Sequence, residues 1–136
     1  MKYLFLIIFS LLPTFIFAQN KLPMKTIIEA NGAPDKTGIA DDGMYYIGYE
    51  NQEYSECSGK IVSIYIGYFF GNSSINELCD YWCWIIPACE ANNFAEMLNE
   101  NFVQQTPSTW INYSNNSIFT MTVSDGFCKI ICENLN

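Results

Sequence analysis

The residues of this chain best suited to chemistry are its six cysteines: Cys57, Cys79, Cys83, Cys89, Cys128 and Cys132. Their even number predicts three disulfide bonds, although the spacing does not determine the pairing. If Cys128 and Cys132 lie on one strand, they are roughly 13 Å apart and each must pair elsewhere. The alternative is a thiolate zinc site built from the two Cys-x3-Cys spacings, but such sites occur mostly where thiols stay reduced. No Cys-x-x-Cys redox motif is present.

Two residue types are missing, and their absence excludes several kinds of chemistry. The chain has no histidine, which removes the commonest general base at neutral pH and excludes Ser/His/Asp and Cys/His nucleophiles. It also has no arginine, the usual bidentate ligand of phosphate. A formal net charge of −8 would further repel nucleic acid and anionic lipid. We therefore expect no metal, no cofactor and no nucleic-acid partner.

Carboxylates are the remaining candidates for catalysis. The nearest pairs in sequence are Asp41 with Asp42 and Glu53 with Glu56. Solvated turn residues explain them better, because a carboxylate in a polar loop has nothing to raise its pKa. Calcium binding by Asp35, Asp41 and Asp42 would match no EF-hand spacing. The sequence therefore predicts no catalytic residue, and a carboxylate-based hydrolase remains only the weakest alternative.

The N-terminal sequence has the three parts of a signal peptide. Lys2 supplies the positive charge, residues 4–17 are an apolar run too short to span a bilayer stably, and Ala18 offers a small residue for cleavage. We expect residues 1–18 to be removed and residues 19–136 to form a single secreted or periplasmic domain without a membrane span. Loss of Lys2 changes the formal net charge from −8 to −9. Oxidation after export would favour disulfide formation.

Hydrophobic periodicity predicts two short helices. The first follows Pro23 and ends at Gly32, with Met24, Ile27 and Ile28 on one face. The second contains Asn93 and Glu96, spaced as a capping box, and ends before Pro107.

Five strands are predicted from alternating apolar residues and turn residues, at residues 44–49, 61–70, 109–113, 118–123 and 127–132. Residues 35–43 are predicted to form a loop. Residues 78–89 contain three cysteines and two tryptophans and are expected to form an apolar plug packed against the sheet. The predicted fold class is α+β, a two-layer sandwich in which two short helices cover one face of an antiparallel sheet of about five strands, stapled by disulfides.

One stretch resembles a known family. Residues 24–68 contain a short helix ending in Asn-Gly-Ala-Pro-Asp, a loop, an aromatic strand and then Gly-Lys-Ile-Val-Ser-Ile. This order is similar to one half-repeat of the small outer-membrane-assembly lipoprotein and β-lactamase-inhibitor-protein group. The resemblance implies an exported binding protein, but the chain lacks the lipid-attachment cysteine of the assembly lipoproteins and carries a cysteine-rich plug.

Aromatic residues are abundant, with nine tyrosines, three tryptophans and ten phenylalanines. Tyrosine and tryptophan are enriched at protein interfaces, so the surplus predicts a non-enzymatic binding module for a protein partner. A carbohydrate-binding protein that stacks sugars on exposed rings is the alternative. A row of coplanar exposed rings would favour sugar, and a compact patch with a polar rim would favour protein. The candidate contact residues are Tyr45, Tyr46, Tyr49, Tyr54, Tyr65, Tyr81, Trp82 and Trp84.

Overall fold

A computed structural model describes residues 21–135 of the chain, so the expected signal peptide at residues 1–18 lies outside the described residues. Within the described part, no helix is both long enough and apolar enough to cross a bilayer. In chain order the elements are α1 (Met24–Asn31), β1 (Lys36–Ile39), β2 (Tyr45–Ser55), β3 (Lys60–Phe70), β4 (Cys79–Pro87), a 3-10 turn (Ala88–Glu90), α2 (Ala91–Asn101), β5 (Val103–Thr106), β6 (Thr109–Asn112), β7 (Ser117–Ser124) and β8 (Phe127–Asn134).

The strands form one eight-stranded antiparallel sheet in the order β1-β2-β3-β4-β8-β7-β6-β5. Each half consists of a helix followed by four strands that pair with their neighbours in sequence. The halves join at the centre, where β4 pairs with β8 from Tyr81 opposite Glu133 to Pro87 opposite Phe127. The order of the second half is therefore the reverse of the first.

The core lies on one face of the sheet and includes the buried residues of both helices. Met24 and Ile27 of α1 and Phe94, Met97 and Leu98 of α2 belong to it. The strands contribute alternate residues, because successive side chains of a strand point to opposite faces. The sheet residues of this cluster are Ile47, Ile64, Ile66, Tyr68, Phe70, Cys79, Trp82, Trp84, Ile86, Trp110, Phe119, Cys128, Ile130 and Cys132.

The predicted first helix is confirmed, since α1 follows Pro23 and is followed by Gly32. Gly32 takes a φ of +84°, which favours glycine, and its N–H donates to the Ile28 carbonyl at 2.8 Å. The second helix begins earlier than predicted. Glu90 occupies the capping position of α2 without a side-chain capping bond, so Asn93 and Glu96 do not form a capping box. The Asn93 side chain instead donates to Glu90 at 2.9 Å.

The predicted two-layer sandwich with about five strands is wrong. The sheet has eight strands and is the dominant structure of the described chain. The apolar plug is strand β4, which lies at the centre of the sheet and is hydrogen-bonded on both sides. Four of the nine residues of the predicted loop at 35–43 form the edge strand β1, and β5 is a second unpredicted edge strand. A disulfide is present, between Cys57 and Cys89.

Ile130 gives a direct test of the described core. It lies on β8 and is 1% exposed. Ile130→Ala leaves a cavity at the junction of the two halves, so we expect the free energy of unfolding to fall by about 2–5 kcal/mol. Chemical denaturation measures this change. Lys129→Ala, on the exposed face of the same strand, is the control, and an equal loss in both variants would contradict the described core.

Candidate functional site

The face of the sheet opposite the core, here called the outer face, carries many aromatic and aliphatic residues. The buried residues of both helices lie in the core, so neither described helix covers the outer face. An antiparallel sheet with one solvated face normally carries polar residues there, whereas a large exposed apolar patch indicates an interaction surface. The aromatic and aliphatic residues of the outer face include Tyr46, Tyr54, Ile61, Tyr65, Phe69, Tyr81, Ile85, Ile111, Ile118, Phe127 and Ile131.

A depression crosses the outer face where two glycines lie side by side. Gly48 of β2 is opposite Gly67 of β3, which in turn is opposite Cys83 of β4. Because neither glycine has a side chain, the backbone and the Cys83 sulfur form the floor. We call this depression the glycine trough; its cavity measures about 180 Å³ and is lined by Asp35, Lys36, Tyr46, Gly48, Tyr49, Glu50, Tyr65, Ile66, Gly67, Phe69, Cys83 and Ile85.

Tyr46 and Phe69 form one wall of the trough and belong to a row of aromatic rings on neighbouring strands. Tyr46 lies against Phe69, with ring centroids 6.0 Å apart, and Phe69 stacks on Tyr81 at 4.4 Å with 10° between the ring planes. The Tyr81 hydroxyl donates to Asp42 Oδ2 at 2.5 Å, which ties the row to the loop before β2. Each ring therefore holds the next in place.

The other side of the trough carries charge. Lys36 on β1 lies opposite Gly48 on β2. Its ammonium group lies 5.7 Å from the centre of the Tyr65 ring on β3. Asp35 accepts a hydrogen bond from the Glu50 backbone at 2.8 Å, and Glu50 accepts one from the Ser63 hydroxyl at 2.6 Å. The trough therefore has an apolar floor and wall and a rim with two carboxylates and one ammonium group.

The structure separates the predicted aromatic contact residues into two groups. Tyr46 and Tyr65 line the trough, and Tyr81 stacks on Phe69, which also lines it. Tyr54 lies farther along the same face and is 53% exposed. The remaining four are on the core face: Tyr45 and Tyr49 pack against the core, and Trp82 and Trp84 are buried within it.

Sequence reasoning did not select Phe69, Gly48 and Gly67. The two glycines become informative only through the register that pairs them.

The six cysteines do not form three disulfides in this structure. Cys57 and Cys89 are bridged, whereas Cys79, Cys83, Cys128 and Cys132 are not disulfide-bonded. Cys128 and Cys132 do lie on one strand, as expected. Cys83 points to the outer face, but the other three lie in the core, so the sheet separates Cys83 from them.

Burial makes three of the four unbridged thiols poor nucleophiles. It raises the pKa of Cys79 to about 12 and that of Cys128 to about 11, and it also raises the pKa of Cys83. Because the thiolate is the reactive form, these groups are largely inert at neutral pH.

A second cluster surrounds the disulfide. Among residues 21–135, Cys57, Cys89 and Glu90 are the one group of three potential metal ligands whose ligand atoms lie within 4.8 Å of one another. While the sulfurs are bonded to each other, neither can act as the thiolate that zinc requires. Glu90 is 6% exposed and accepts hydrogen bonds from Ser55 and Asn93.

Asp42, one of the carboxylates considered for catalysis, does not have the environment of a general acid. Asp42 is fully exposed and is bound by the Tyr81 hydroxyl and the Met44 N–H, so its pKa is lowered, whereas a general acid needs a raised value. Burial and the hydrogen bond to Asp42 raise the pKa of Tyr81. The hydrogen bond between Asp42 and Tyr81 therefore serves to position the Tyr81 ring.

The bond from Tyr81 to Asp42 makes a measurable prediction. Removing the hydroxyl in Tyr81→Phe takes away the main cause that lowers the Asp42 pKa, so the carboxyl should titrate at higher pH than in the parent protein. Any stability linked to Asp42 is present above its unfolded-state pKa and is lost as pH falls through the lower folded-state value. NMR titration of the Asp42 side chain checks the shift. Tyr54→Phe should leave it unchanged, and an unchanged titration in Tyr81→Phe would contradict the contact.

The location of Cys83 on the outer face predicts that this cysteine is a free thiol in the purified protein. Protein unfolded without reductant and alkylated should carry the label on Cys83, because no other cysteine lies on its face of the sheet. Peptides containing Cys57 and Cys89 should be recovered linked. Peptide mapping by mass spectrometry makes this measurement. Recovery of Cys83 in a disulfide within the monomer would show that the register of β4 is different.

Comparison with known proteins finds no matching family model, no similar curated protein and no similar solved structure. There is therefore no matched relative from which a role for the glycine trough or for the disulfide cluster can be transferred.

Proposed function

We propose that this chain is an exported, non-enzymatic binding module that holds a protein partner on the outer face of its sheet. The observation that carries the proposal is the glycine trough, an apolar depression bordered by aromatic residues on a face that no described helix covers. Hydrophobic pockets that accept one anchor residue are typical of the energetic centres of protein interfaces. The resemblance of residues 24–68 to a group of exported binding proteins points in the same direction.

The size of the trough favours a single side chain. Its volume is about 180 Å³, close to the roughly 150 Å³ apolar cavity that accommodates benzene. Pockets for cofactors and drug-sized ligands usually measure about 300–1,000 Å³. An aromatic or large aliphatic side chain of a partner fits this space, whereas a larger ligand would remain mostly outside it.

The ring geometry favours protein over carbohydrate. Sugars stack on the flat face of an aromatic ring, but Phe69 and Tyr81 lie face to face at 4.4 Å. Side chains stand roughly perpendicular to a sheet, so these stacked rings turn their edges to solvent. Together with the charged rim, this makes the surface a compact aromatic patch with a polar border, which suits a protein interface.

The negative charge of the chain and of the trough rim favours a basic protein partner. The chain has a formal net charge of −8, and two of the three charged groups lining the trough are Asp35 and Glu50. A basic protein surface would be attracted at long range and would pair with this rim, while an acidic one would be repelled. The proposed partner therefore presents an apolar anchor residue surrounded by lysine or arginine.

A filled trough tests the proposal. Gly48→Val puts a branched side chain on the floor, and its Cβ would meet its nearest neighbours at 3.8–3.9 Å, which is ordinary contact distance. We expect the variant to fold and its affinity for a tryptophan peptide flanked by lysines to fall about tenfold or more, because the anchor can no longer enter. Isothermal titration calorimetry measures the affinity.

The matched control is Thr122→Val, which adds a valine to the outer face on β7, away from the trough. It should bind the peptide like the parent protein. A glutamate-flanked tryptophan peptide should bind more weakly than the lysine-flanked one. Equal binding of the lysine-flanked peptide by Gly48→Val and the parent, or retention of oligosaccharides alone on a mixed peptide and glycan array, would refute the proposal.

A further inference from the structure

The disulfide has an unusual neighbour in a buried carboxylate. Both Cys57 and Cys89 are exposed, so the bridge is accessible to a reagent in solution. Glu90, directly after Cys89, is 6% exposed, and its Oε1 lies 3.0 Å from Cys57 Sγ. An exposed disulfide is more easily reduced than a buried one, and the adjacent carboxylate supplies a group that can accept a proton.

The hydrogen bonds of Glu90 leave a place for a thiol. Oε1 accepts from the Ser55 hydroxyl at 3.0 Å, and Oε2 accepts from the Asn93 amide at 2.9 Å; both donors are neutral. In the disulfide, Cys57 Sγ has no hydrogen to donate. In the dithiol, the same atom carries a hydrogen and can act as a third donor to the nearby Glu90 Oε1, so the cluster can accommodate the reduced state as well as the oxidised one.

The surrounding backbone holds Cys57 in place independently of the bridge. The turn between β2 and β3 is closed by the Gly59 N–H, which donates to the Ser55 carbonyl at 2.8 Å. The Ser58 N–H donates to the Ser55 hydroxyl at 3.3 Å, and that hydroxyl also reaches Glu90. These bonds keep the turn near α2 after the bridge opens, so the two thiols stay close enough to join again.

We propose that Cys57 and Cys89 form a thiol–disulfide exchange centre in which Glu90 accepts and returns the proton of Cys57. This inference does not depend on the glycine trough, which lies on the outer face between β2, β3 and β4. The reaction partner is an external dithiol or disulfide, which supplies or takes up two electrons.

The reductive direction begins when the Glu90 carboxylate takes the proton of an external thiol, whose sulfur attacks Cys89 Sγ. A bond forms between the external sulfur and Cys89, the Cys57–Cys89 bond breaks, and its electron pair goes to Cys57, which takes that proton from Glu90. The second thiol of the external dithiol, as thiolate, then attacks the external sulfur and releases Cys89 as a thiolate, which is protonated by water. Protein disulfide and external dithiol thus become protein dithiol and external disulfide. In the oxidative direction, the Cys89 thiolate attacks an external disulfide and releases one external thiolate, which leaves a mixed disulfide. Cys57 then gives its proton to Glu90, and its thiolate attacks the Cys89 sulfur. The bond from Cys89 to the external sulfur breaks, and the departing external thiolate takes the proton from Glu90.

Two measurements on the full protein test this proposal. In the first, native protein is treated with dithiothreitol, quenched with acid and alkylated, and the Cys57 and Cys89 peptides are quantified by mass spectrometry. We expect the bridge to open without loss of the far-UV circular dichroism of the folded state and to close again with glutathione disulfide. If the disulfide is reduced only at the rate of global unfolding, it serves only to stabilise the fold, and the proposal is overturned.

In the second, reclosure of the reduced protein by glutathione disulfide is timed in Glu90→Gln, which keeps the side-chain shape but cannot accept the proton. We expect reclosure to slow about tenfold or more, since general-base assistance is worth roughly 10²–10⁴-fold at its best. Glu96→Gln, which changes an exposed carboxylate on α2, is the matched control and should reclose at the parent rate. Parent-rate reclosure in Glu90→Gln would refute the role of Glu90. Should Glu90→Gln not fold, reclosure is timed in Glu90→Asp instead. This variant retains a carboxylate and should reclose, and its failure to reclose would likewise refute the role of Glu90.

Discussion

The pairing of β4 with β8 is the constraint on which the rest of the structure depends. It joins two units, each a helix followed by four strands, along a register of seven residue pairs from Tyr81 opposite Glu133 to Pro87 opposite Phe127. Trp82, Trp84 and Ile86 from β4 then lie beside Cys128, Ile130 and Cys132 from β8 on one face. Without this junction each half would have only four strands and one helix, and the two tryptophans at its edge would be exposed to water.

The same junction determines what the other face offers. Once the core residues of β4 are fixed, alternation sends Tyr81, Cys83 and Ile85 to the outer face. The pairing of β2 with β3 brings Gly48 and Gly67 into line with Cys83, and the rings of Tyr46, Phe69 and Tyr81 fall into one row beside them. The glycine trough is therefore produced by register: a shift of one residue in either strand would place side chains on its floor.

The sequence predicted the strongly patterned elements and missed those whose pattern is ambiguous or polar. Strand β3 and the first helix have clear periodicity and were found. Strand β4 has apolar residues on both faces, and a continuous apolar run cannot be distinguished from other buried segments by periodicity. Strands β1 and β5 are four residues each and mostly exposed, so they have no hydrophobic pattern to detect.

The candidate site was predictable only in part, for a similar reason. Tyrosine abundance pointed to Tyr46, Tyr65 and Tyr81, but the side on which each aromatic ring lies depends on strand register, which also buried Trp82 and Trp84. Cysteine number suggested complete pairing, yet pairing requires sulfurs on the same side of the sheet. The proximity of Glu90 to Cys57 joins residues 33 positions apart and has no local signal.

The short edge strands have a consequence for how this protein meets other molecules. β1 and β5 close the two ends of the sheet with only four residues each, and both are mostly exposed and rich in polar side chains. Long, flat, apolar edges invite another chain to add a strand, whereas short polar ones discourage it. Lateral polymerisation through backbone pairing is therefore disfavoured, and a molecule that associates with this sheet meets its broad surface and its side chains.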